Sequence, residues 1–196
     1  MSPNELQGCL AFLREAERLK NVHRSAHTSA GQPESTAEHS WRLCLMAMVF
    51  APQFPELDTA RLLKLCVLHD LGEALHGDVP AVQQEQGTHK SAQERADLQT
   101  LMQSLPPALF DAFLGLWDEY ENASSAEARI VKGLDKLETI LQHNQGANPA
   151  DFDYGFNLGY GQKYMAAHPL LQQIRAVLDA DTLARQQQQQ EGGKPR

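Results

Sequence analysis

His69 and Asp70 are the residues in the sequence best suited to chemistry, because they lie side by side in an apolar segment that begins at Cys66. A buried carboxylate beside a buried imidazole is costly unless a partner compensates. A divalent metal ion does so, since both groups are hard or borderline ligands. Glu73 follows Asp70 by three residues, so on a helix all three would lie near one face. The alternative is a hydrogen-bonded core histidine with both carboxylates in solvent.

Two further residues could complete a metal site. His39 lies in the first turn of a predicted helix, where the helix dipole disfavours imidazolium, and the neutral imidazole is the form that binds metal. Asp135 lies next to Leu134 in an apolar helical pattern, where an inward carboxylate is costly without a partner. Each has a plainer interpretation, His39 as a residue near a helix cap and Asp135 as the salt-bridge partner of Lys132 or Lys136.

The elements that must position these residues are helices. Apolar residues recur with the helical period, and no period-two pattern typical of strands runs for more than a few residues. The helix that carries His69 is predicted to be capped by Asp58, to run through Leu75 and to end at Gly77 and Pro80. The other predicted starts are capping boxes at Ser2–Glu5, Ser35–Glu38, Ser91–Glu94 and Ser124–Glu127, and prolines at Pro107 and Pro169. The sequence therefore predicts an all-α, single-domain bundle.

The composition of the chain argues against some classes of binding partner. The chain has 196 residues and a formal charge of −8, which argues against nucleic-acid polymers and anionic membranes but not against small phosphorylated ligands. The three cysteines have no framework spacing, as expected for reduced thiols. The longest apolar run, Leu43 to Ala51, is too short to cross a bilayer, and no signal peptide is apparent. We expect a cytoplasmic protein.

Two segments have unusual composition. Residues 146–161 contain Phe152, Tyr154, Phe156 and Tyr160 among glycine, asparagine and aspartate, which favours a packed surface loop, with a subunit contact or a wall of the site as the alternative. Residues 186–196 begin with a glutamine run and are predicted to be a disordered tail after a domain of residues 1–185.

The ordered set His39, His69-Asp70 and Asp135, each on its own predicted helix, resembles the HD-domain superfamily of metal-dependent phosphohydrolases. The resemblance covers roughly residues 10–145, with a metal core at about residues 24–145. It implies an HD-type helical bundle and a metal-dependent hydrolase.

Local sequences are similar to the 5′-deoxynucleotidase branch of that superfamily. They are Ser-Thr-Ala-Glu-His-Ser at residues 35–40, His-Asp-Leu-Gly-Glu-Ala-Leu-His-Gly-Asp-Val-Pro at residues 69–80, and Lys-Gly-Leu-Asp-Lys-Leu-Glu at residues 132–138. Arg24 also falls where that branch has an arginine that orients the phosphate. The chain departs from the branch in two places: no tryptophan follows Arg24, and Ala81 stands where a hydroxyl side chain can occur.

The resemblance implies that His39, His69, Asp70 and Asp135 hold one divalent ion per chain. Mixed nitrogen and oxygen ligands suggest Mn, Co, Fe or Ni, with Mg or Zn as further candidates. Glu73 is expected to act as the general base for water or the acid for the leaving alcohol. The residues expected to contact substrate are Arg24, Ser25, Asp70, Asp78, Val79, Pro80, Ala81 and Asp135, with Asp78 to Ala81 on the sugar side.

The predicted function is hydrolysis of a nucleoside 5′-monophosphate, with a 2′-deoxynucleotide preferred, to nucleoside and phosphate. The alternatives are an HD-type hydrolase of another phosphorylated small molecule, such as a signalling nucleotide, and a non-catalytic nucleotide-binding HD module. An oxygenase with two irons is disfavoured, because only His76 and His89 lie between His69 and Asp135. The aromatic segment and the habit of the family predict a homodimer.

Overall fold

A computed structural model describes residues 1–77 and 89–192, and in this part of the chain the secondary structure is almost entirely helical. The α-helices are α1 (Pro3–Ala16), α2 (Thr36–Phe50), α3 (Thr59–Leu68), α4 (Glu73–His76), α5 (His89–Met102), α6 (Pro107–Asn122), α7 (Ala126–Gln145), α8 (Gly155–Gly159) and α9 (Pro169–Gly192). Short 3-10 segments span Glu17–Asn21, Ala51–Gln53 and Gln162–Ala167. The predicted all-α single-domain bundle is confirmed.

Helix α7 lies at the centre of the larger of two apolar clusters. Its residues Leu134, Leu137 and Ile140 are fully buried against α2, α3 and α9. A second cluster joins α1, the end of α3, α4, α5 and α6 around Leu98 and Met102. The helices that carry His39, His69 and Asp135 therefore pack directly against one another.

Several predicted helix starts are confirmed. Ser2 and Ser35 each form a complete capping box with the glutamate three residues later. The side chain of Asp58 accepts from two backbone N–H groups at the start of α3. Pro107 and Pro169 are the first residues of α6 and α9.

Two of the predicted capping boxes are wrong. The cap of α7 is Ser125, whose hydroxyl accepts from the Ala128 N–H at 2.9 Å, whereas the Ser124 hydroxyl donates to the Glu119 carbonyl. Helix α5 already includes His89, two residues before Ser91. The Glu94 carboxylate forms an ion pair with Lys90 one turn earlier, so it belongs to the side of the helix rather than to its cap.

A small hairpin was missed because it is polar and short. Strand β1 (His23–His27) pairs antiparallel with β2 (Pro33–Ser35), and His23 lies opposite Ser35. Gly31, at φ +81°, provides the left-handed residue of the connecting turn. Neither strand shows the apolar alternation that marks a strand in a sequence, yet the hairpin positions Arg24.

Helix α9 continues through the glutamine run to Gly192, where the sequence analysis expected a tail without structure from residue 186. Glutamine is a good helix former, and the Gln189 side chain donates to the carbonyls of Ala150 and Phe152 at 2.6 and 3.0 Å. Within the described residues, no helix combines the length and the apolar character needed to cross a membrane.

Candidate active site

Three packed segments bring His39, His69-Asp70 and Asp135 together. His39 lies in the first turn of α2, which the Ser35 capping box fixes in place. Asp135 lies midway along α7, and His69 is the residue immediately after α3. The side chains of His39 and His69 are fully buried, whereas that of Asp70 is 20% exposed. The group is therefore open to solvent on the side of Asp70.

The predicted helix through Leu75 is broken at this point. Helix α3 ends at Leu68, and the backbone then bonds at a spacing of three residues, from Leu71 N–H to Leu68 O and from Glu73 N–H to Asp70 O. Gly72 lies in this turn, and a Cβ there would come within 2.5 Å of the Glu94 carbonyl oxygen of α5. The lack of a side chain at Gly72 thus allows α5 to pack closely beside the site.

Four ligand atoms converge. The Nε2 atoms of His39 and His69 are 3.3 Å apart. Asp70 Oδ2 lies 3.0 Å from His69 Nε2 and 3.8 Å from His39 Nε2. Asp135 Oδ1 lies 3.2 Å from His39 Nε2 and 4.0 Å from His69 Nε2. His39, His69 and Asp70 form a group of potential metal ligands whose atoms all lie within 4.8 Å of one another.

The other ring nitrogen of each histidine fixes its tautomer. His69 Nδ1 is 2.9 Å from the Cys66 carbonyl oxygen, so Nδ1 carries the proton and donates it. His39 Nδ1 contacts the Glu138 carboxylate, whose other oxygen accepts from Arg42 Nε at 2.5 Å. Nε2 is therefore the atom of each ring that is directed into the group, where it can bind a metal ion in its deprotonated form. Partners of this kind are what orient metal-binding histidines in proteins.

The carboxylate of Asp135 is held in the same way. Its Oδ2 accepts from the Tyr120 hydroxyl at 2.6 Å and pairs with Lys136 Nζ at 2.8 Å. The ring of Tyr120 also packs edge-on against His69. Of the two carboxylate oxygens, Oδ1 is therefore the one directed at the histidines. The pairing with Lys136 was the plainer interpretation of Asp135, and the structure shows it together with the cluster.

Two imidazole nitrogens and two carboxylate oxygens that face one another favour a bound positive charge, either a proton on His39 or a metal ion. Burial and Arg24 both lower the pKa of His39, but Glu138 and Asp135 outweigh them and raise it to about 10. Burial alone would raise the pKa of Asp70 and of Asp135, yet His69 and Lys136, respectively, help to hold the pKa of each below its usual range. The carboxylates thus override the helix dipole that was expected to keep His39 neutral. This donor set fits a divalent metal ion.

Glu73 lies beside the group, at the start of α4, and is buried. One of its oxygens accepts from the Thr36 hydroxyl at 3.4 Å, and the other lies 3.6 Å from Lys90 Nζ. Glu73 is not a member of the group of potential metal ligands formed by His39, His69 and Asp70. Glu73 can therefore carry a proton without being needed as a ligand.

Arg24 reaches the group from strand β1. Its Nη1 is 3.5 Å from Asp70 Oδ2, its Nη2 donates to the Thr139 hydroxyl at 3.1 Å, and its Nε is 3.5 Å from Glu34. Burial and the nearby Glu138 raise the pKa of Glu34 to about 7. The neighbouring Ser25 is exposed, and strand alternation directs its side chain to the opposite face.

A cavity of about 910 Å³ adjoins the exposed side of the group. His69 and Asp70 form part of its lining, together with residues of α5, α6, α7 and the segment from Phe156 to Tyr164. Part of the aromatic segment is thus a wall of this cavity, as the second interpretation of that segment proposed. The other site residues predicted for this region, Asp78 to Ala81, lie outside the described residues.

Sequence reasoning missed the residues that hold the ligands in place. Glu138 had a signal, since it follows Asp135 by three residues on the same face of α7. Tyr120 had none, because its contact depends on how α6 packs on α7. Other partners revealed only by packing are Glu34, Thr36, Lys90 and Thr139.

Comparisons with known proteins identify a matching family and related sequences. Residues 16–175 match the sequence model of the HD domain family. The chain is 35% identical over 147 residues to the protein named 5′-deoxynucleotidase HDDC2 of Bos taurus, and the match covers 74% of this chain and 71% of that protein. It is 36% identical over 138 residues to the protein of the same name of Homo sapiens, with 69% and 67% covered.

A solved structure supports the fold. The protein described as a predicted metal-dependent phosphohydrolase from Magnetospirillum magnetotacticum matches with a TM-score of 0.78 at 23% sequence identity. The match covers 93% of this chain and 94% of that one. The helical arrangement around the ligand group is therefore a known one.

Proposed function

Because the chain belongs to the HD domain family, we propose that it is a metal-dependent phosphomonoesterase that hydrolyses nucleoside 5′-monophosphates to nucleoside and phosphate. The observation that carries this proposal is the convergence of two imidazole lone pairs and two carboxylate oxygens beside an arginine. A preference for 2′-deoxynucleotides rests on relatives named 5′-deoxynucleotidase at about a third identity.

The four ligands in this proposal are His39 Nε2, His69 Nε2, Asp70 Oδ2 and Asp135 Oδ1. A divalent ion bound there supplies a Lewis acid for the phosphoryl oxygens and lowers the pKa of bound water. Four protein ligands leave room for water or substrate oxygens only at a coordination number above four, which favours Mn, Co, Fe or Ni over tetrahedral Zn. Mg stays a candidate.

Arg24 and Glu73 have separate roles in this proposal, phosphate binding and proton transfer. The Arg24 guanidinium, next to Asp70, binds and orients the phosphate through charge-assisted hydrogen bonds. The Glu73 carboxylate takes a proton from the attacking water or returns one to the leaving 5′-oxygen. Thr36 and Lys90 hold that carboxylate from two sides, so its direction is fixed before substrate binds.

One ion per chain fits the described histidines near the site. His76 pairs with Asp97 at 2.7 Å and has a side chain that is 69% exposed, so it belongs to the surface. Asp78, Val79, Pro80 and Ala81 are proposed to contact the sugar, with Asp78 accepting from a hydroxyl. A homodimer in the cytoplasm, acting on small molecules rather than nucleic acid, completes the proposal.

A phosphate-release screen tests the function. Purified protein is assayed with 2′-deoxynucleoside and ribonucleoside monophosphates, sugar phosphates and cyclic nucleotides, each with Mn, Co, Fe, Ni, Mg or Zn. We expect the fastest release from a 2′-deoxynucleoside 5′-monophosphate. Turnover confined to a signalling nucleotide would replace the substrate class, and nucleotide binding without turnover under every metal would favour the non-catalytic module.

A further inference from the structure

Aromatic side chains form part of the lining of the 910 Å³ cavity, which also includes His69 and Asp70. They are Phe156, Tyr160 and Tyr164, and we call them the aromatic wall. The rings of Phe156 and Tyr160 pack with centroids 4.9 Å apart and an interplanar angle of 34°. All three residues are half-buried, so part of each faces the cavity.

The aromatic wall is anchored to α9 by one buried arginine. Arg175 donates to the carbonyl oxygens of Asn157, Leu158 and Tyr160 at 2.5 to 2.7 Å, and its Nε pairs with Asp179. These carbonyls lie at the end of α8, where Asn157 O also accepts from the Tyr160 N–H and Leu158 O also accepts from the Gln162 side chain. The backbone that carries Tyr160 is therefore fixed before any ligand binds.

A second anchor joins the wall to the site itself. Gly161 has φ +71°, and a Cβ there would come within 2.5 Å of Lys136 Cβ. The chain can thus lie directly on Lys136, whose ammonium is 5.3 Å from the centre of the Tyr160 ring. The same ammonium pairs with Asp135. A single lysine head group therefore separates the Tyr160 ring from a proposed metal ligand.

We propose that the aromatic wall binds the nucleobase of the substrate, with the Tyr160 ring as the stacking surface. The inference rests on the proposed function and adds to it the residues that recognise the leaving nucleoside. In this arrangement the phosphate lies at His69 and Asp70, where Arg24 contacts Asp70, and the base extends towards α8.

Charge next to the Tyr160 ring favours a neutral aromatic group over a second phosphate. Lys132 pairs with Glu121 at 3.2 Å and lies 4.5 Å from the Tyr120 ring centre. Lys136 is neutralised by Asp135. The ammonium next to the Tyr160 ring is thus already matched by a carboxylate, as is that of Lys132. A third ammonium, that of Lys163, lies 4.9 Å from the Tyr164 ring centre, so the aromatic surface is locally neutral at Tyr160 and positively charged beside Tyr164.

The test compares a substrate with and without its base. Kinetics are measured with 2′-deoxyadenosine 5′-monophosphate and with 2-deoxyribose 5-phosphate. In the unmodified protein, we expect kcat/KM to be at least about ten-fold higher for the nucleotide, the size of effect that one base stacked on one ring produces. A ratio near one overturns the inference without needing any variant to fold.

Variants at Tyr160 test whether this residue causes the preference for the nucleotide over the sugar phosphate. Tyr160→Ala should lower kcat/KM about ten-fold more for the nucleotide than for the sugar phosphate, mainly through KM. Tyr160→Phe keeps the ring and should keep the preference. Trp41→Ala, an aromatic residue exposed far from this cavity, serves as the matched control and should leave both substrates unaffected.

Each remaining outcome has a distinct meaning. Equal losses on both substrates in Tyr160→Ala would show that Tyr160 only supports Lys136, and would overturn the inference. If a second phosphate on the substrate raised its affinity more than the base does, the aromatic wall would be assigned to phosphate binding instead. Hydrolysis of other phosphate esters with none of any nucleotide would refute the proposed function itself.

Discussion

Two cavities lined by the described residues have similar size and opposite chemistry. The cavity beside His69 and Asp70 measures about 910 Å³, and its lining includes lysines, carboxylates and tyrosines. The second measures about 700 Å³ and lies between α1, α2, α3 and α6. Its lining is almost wholly apolar and includes exposed side chains such as Leu13, Trp41 and Val67.

The two cavities differ in the organisation of their polar atoms rather than in volume, and this is why we assign the reaction to the polar cavity. Next to the polar cavity, partners orient the proposed ligands, such as Glu138 for His39 and Tyr120 for Asp135. Such fixed groups stabilise charge without reorganising when a reaction occurs. The apolar cavity contains Ser40 and Lys64 but no converging set, so it offers contact area without a means of activating water.

The largest effects should come from the ligands and from Glu73. His69→Ala should lose most bound metal and nearly all turnover, as should removal of His39, Asp70 or Asp135. Glu73→Gln should keep the metal and lose about 10²- to 10⁴-fold in kcat, because it removes proton transfer alone. Metal content per chain and phosphate release measure both. If Glu73→Gln empties the site, the assigned division between ligand and base is wrong.

A smaller effect should follow from loosening one ligand. Glu138→Gln leaves His39 in place but weakens the hydrogen bond that holds its ring, so metal affinity should fall about 10- to 100-fold. Titration of the metal-free protein with Mn measures the change, and activity should recover at saturating metal. Glu121→Gln is the matched control, since Glu121 pairs with Lys132 and touches no ligand. Equal losses in both variants would contradict the role of Glu138.

The smallest effect should come from the apolar cavity. Trp41 is 63% exposed, so Trp41→Ala should change the free energy of unfolding by no more than about 0.5 kcal/mol. Turnover and metal content should be unchanged, as measured alongside thermal unfolding. A loss of kcat/KM comparable to that of Tyr160→Ala would show that the two cavities are coupled, and that the apolar cavity also contributes to catalysis.

The clustering of the proposed ligands could be predicted from the sequence, because polar residues are unusual in apolar helical segments. Their role as metal ligands stays a prediction. His69, Asp70 and Asp135 are polar in apolar helical segments, and a single family pattern explains all three. Helix starts marked by a complete capping box, such as Ser35 with Glu38, were also predictable, because the cap is a local interaction. The presence and type of these helices followed from sequence alone.

The partners of the ligands could not be predicted, because their contacts depend on packing between distant segments. Tyr120 and Asp135 are on different helices, and Arg24 reaches Asp70 from a polar hairpin that has no apolar pattern. The end of helix α3 at Leu68 could not be predicted, because the apolar spacing typical of a helix continues past it to Leu75. The close approach of α5 at Gly72, seen only in three dimensions, accompanies this helix end.

The buried imidazole of His143, next to the segment that carries the aromatic wall, makes the stability of the fold depend on pH. His143 Nδ1 donates to Asn157 Oδ1 at 2.7 Å, within the segment that leads to Tyr160. Burial lowers the pKa of His143 from 6.5 to about 4, although the hydrogen bond to Asn157 opposes the shift. The unfolded chain therefore takes up a proton that the folded chain excludes. This contribution to stability is complete above pH 6.5 and declines as the pH falls towards 4, by on the order of 1 kcal/mol per pH unit. Protons thus act as ligands of the unfolded state. The burial of His143 against Asn157 therefore sets part of the lower pH limit at which the protein stays folded.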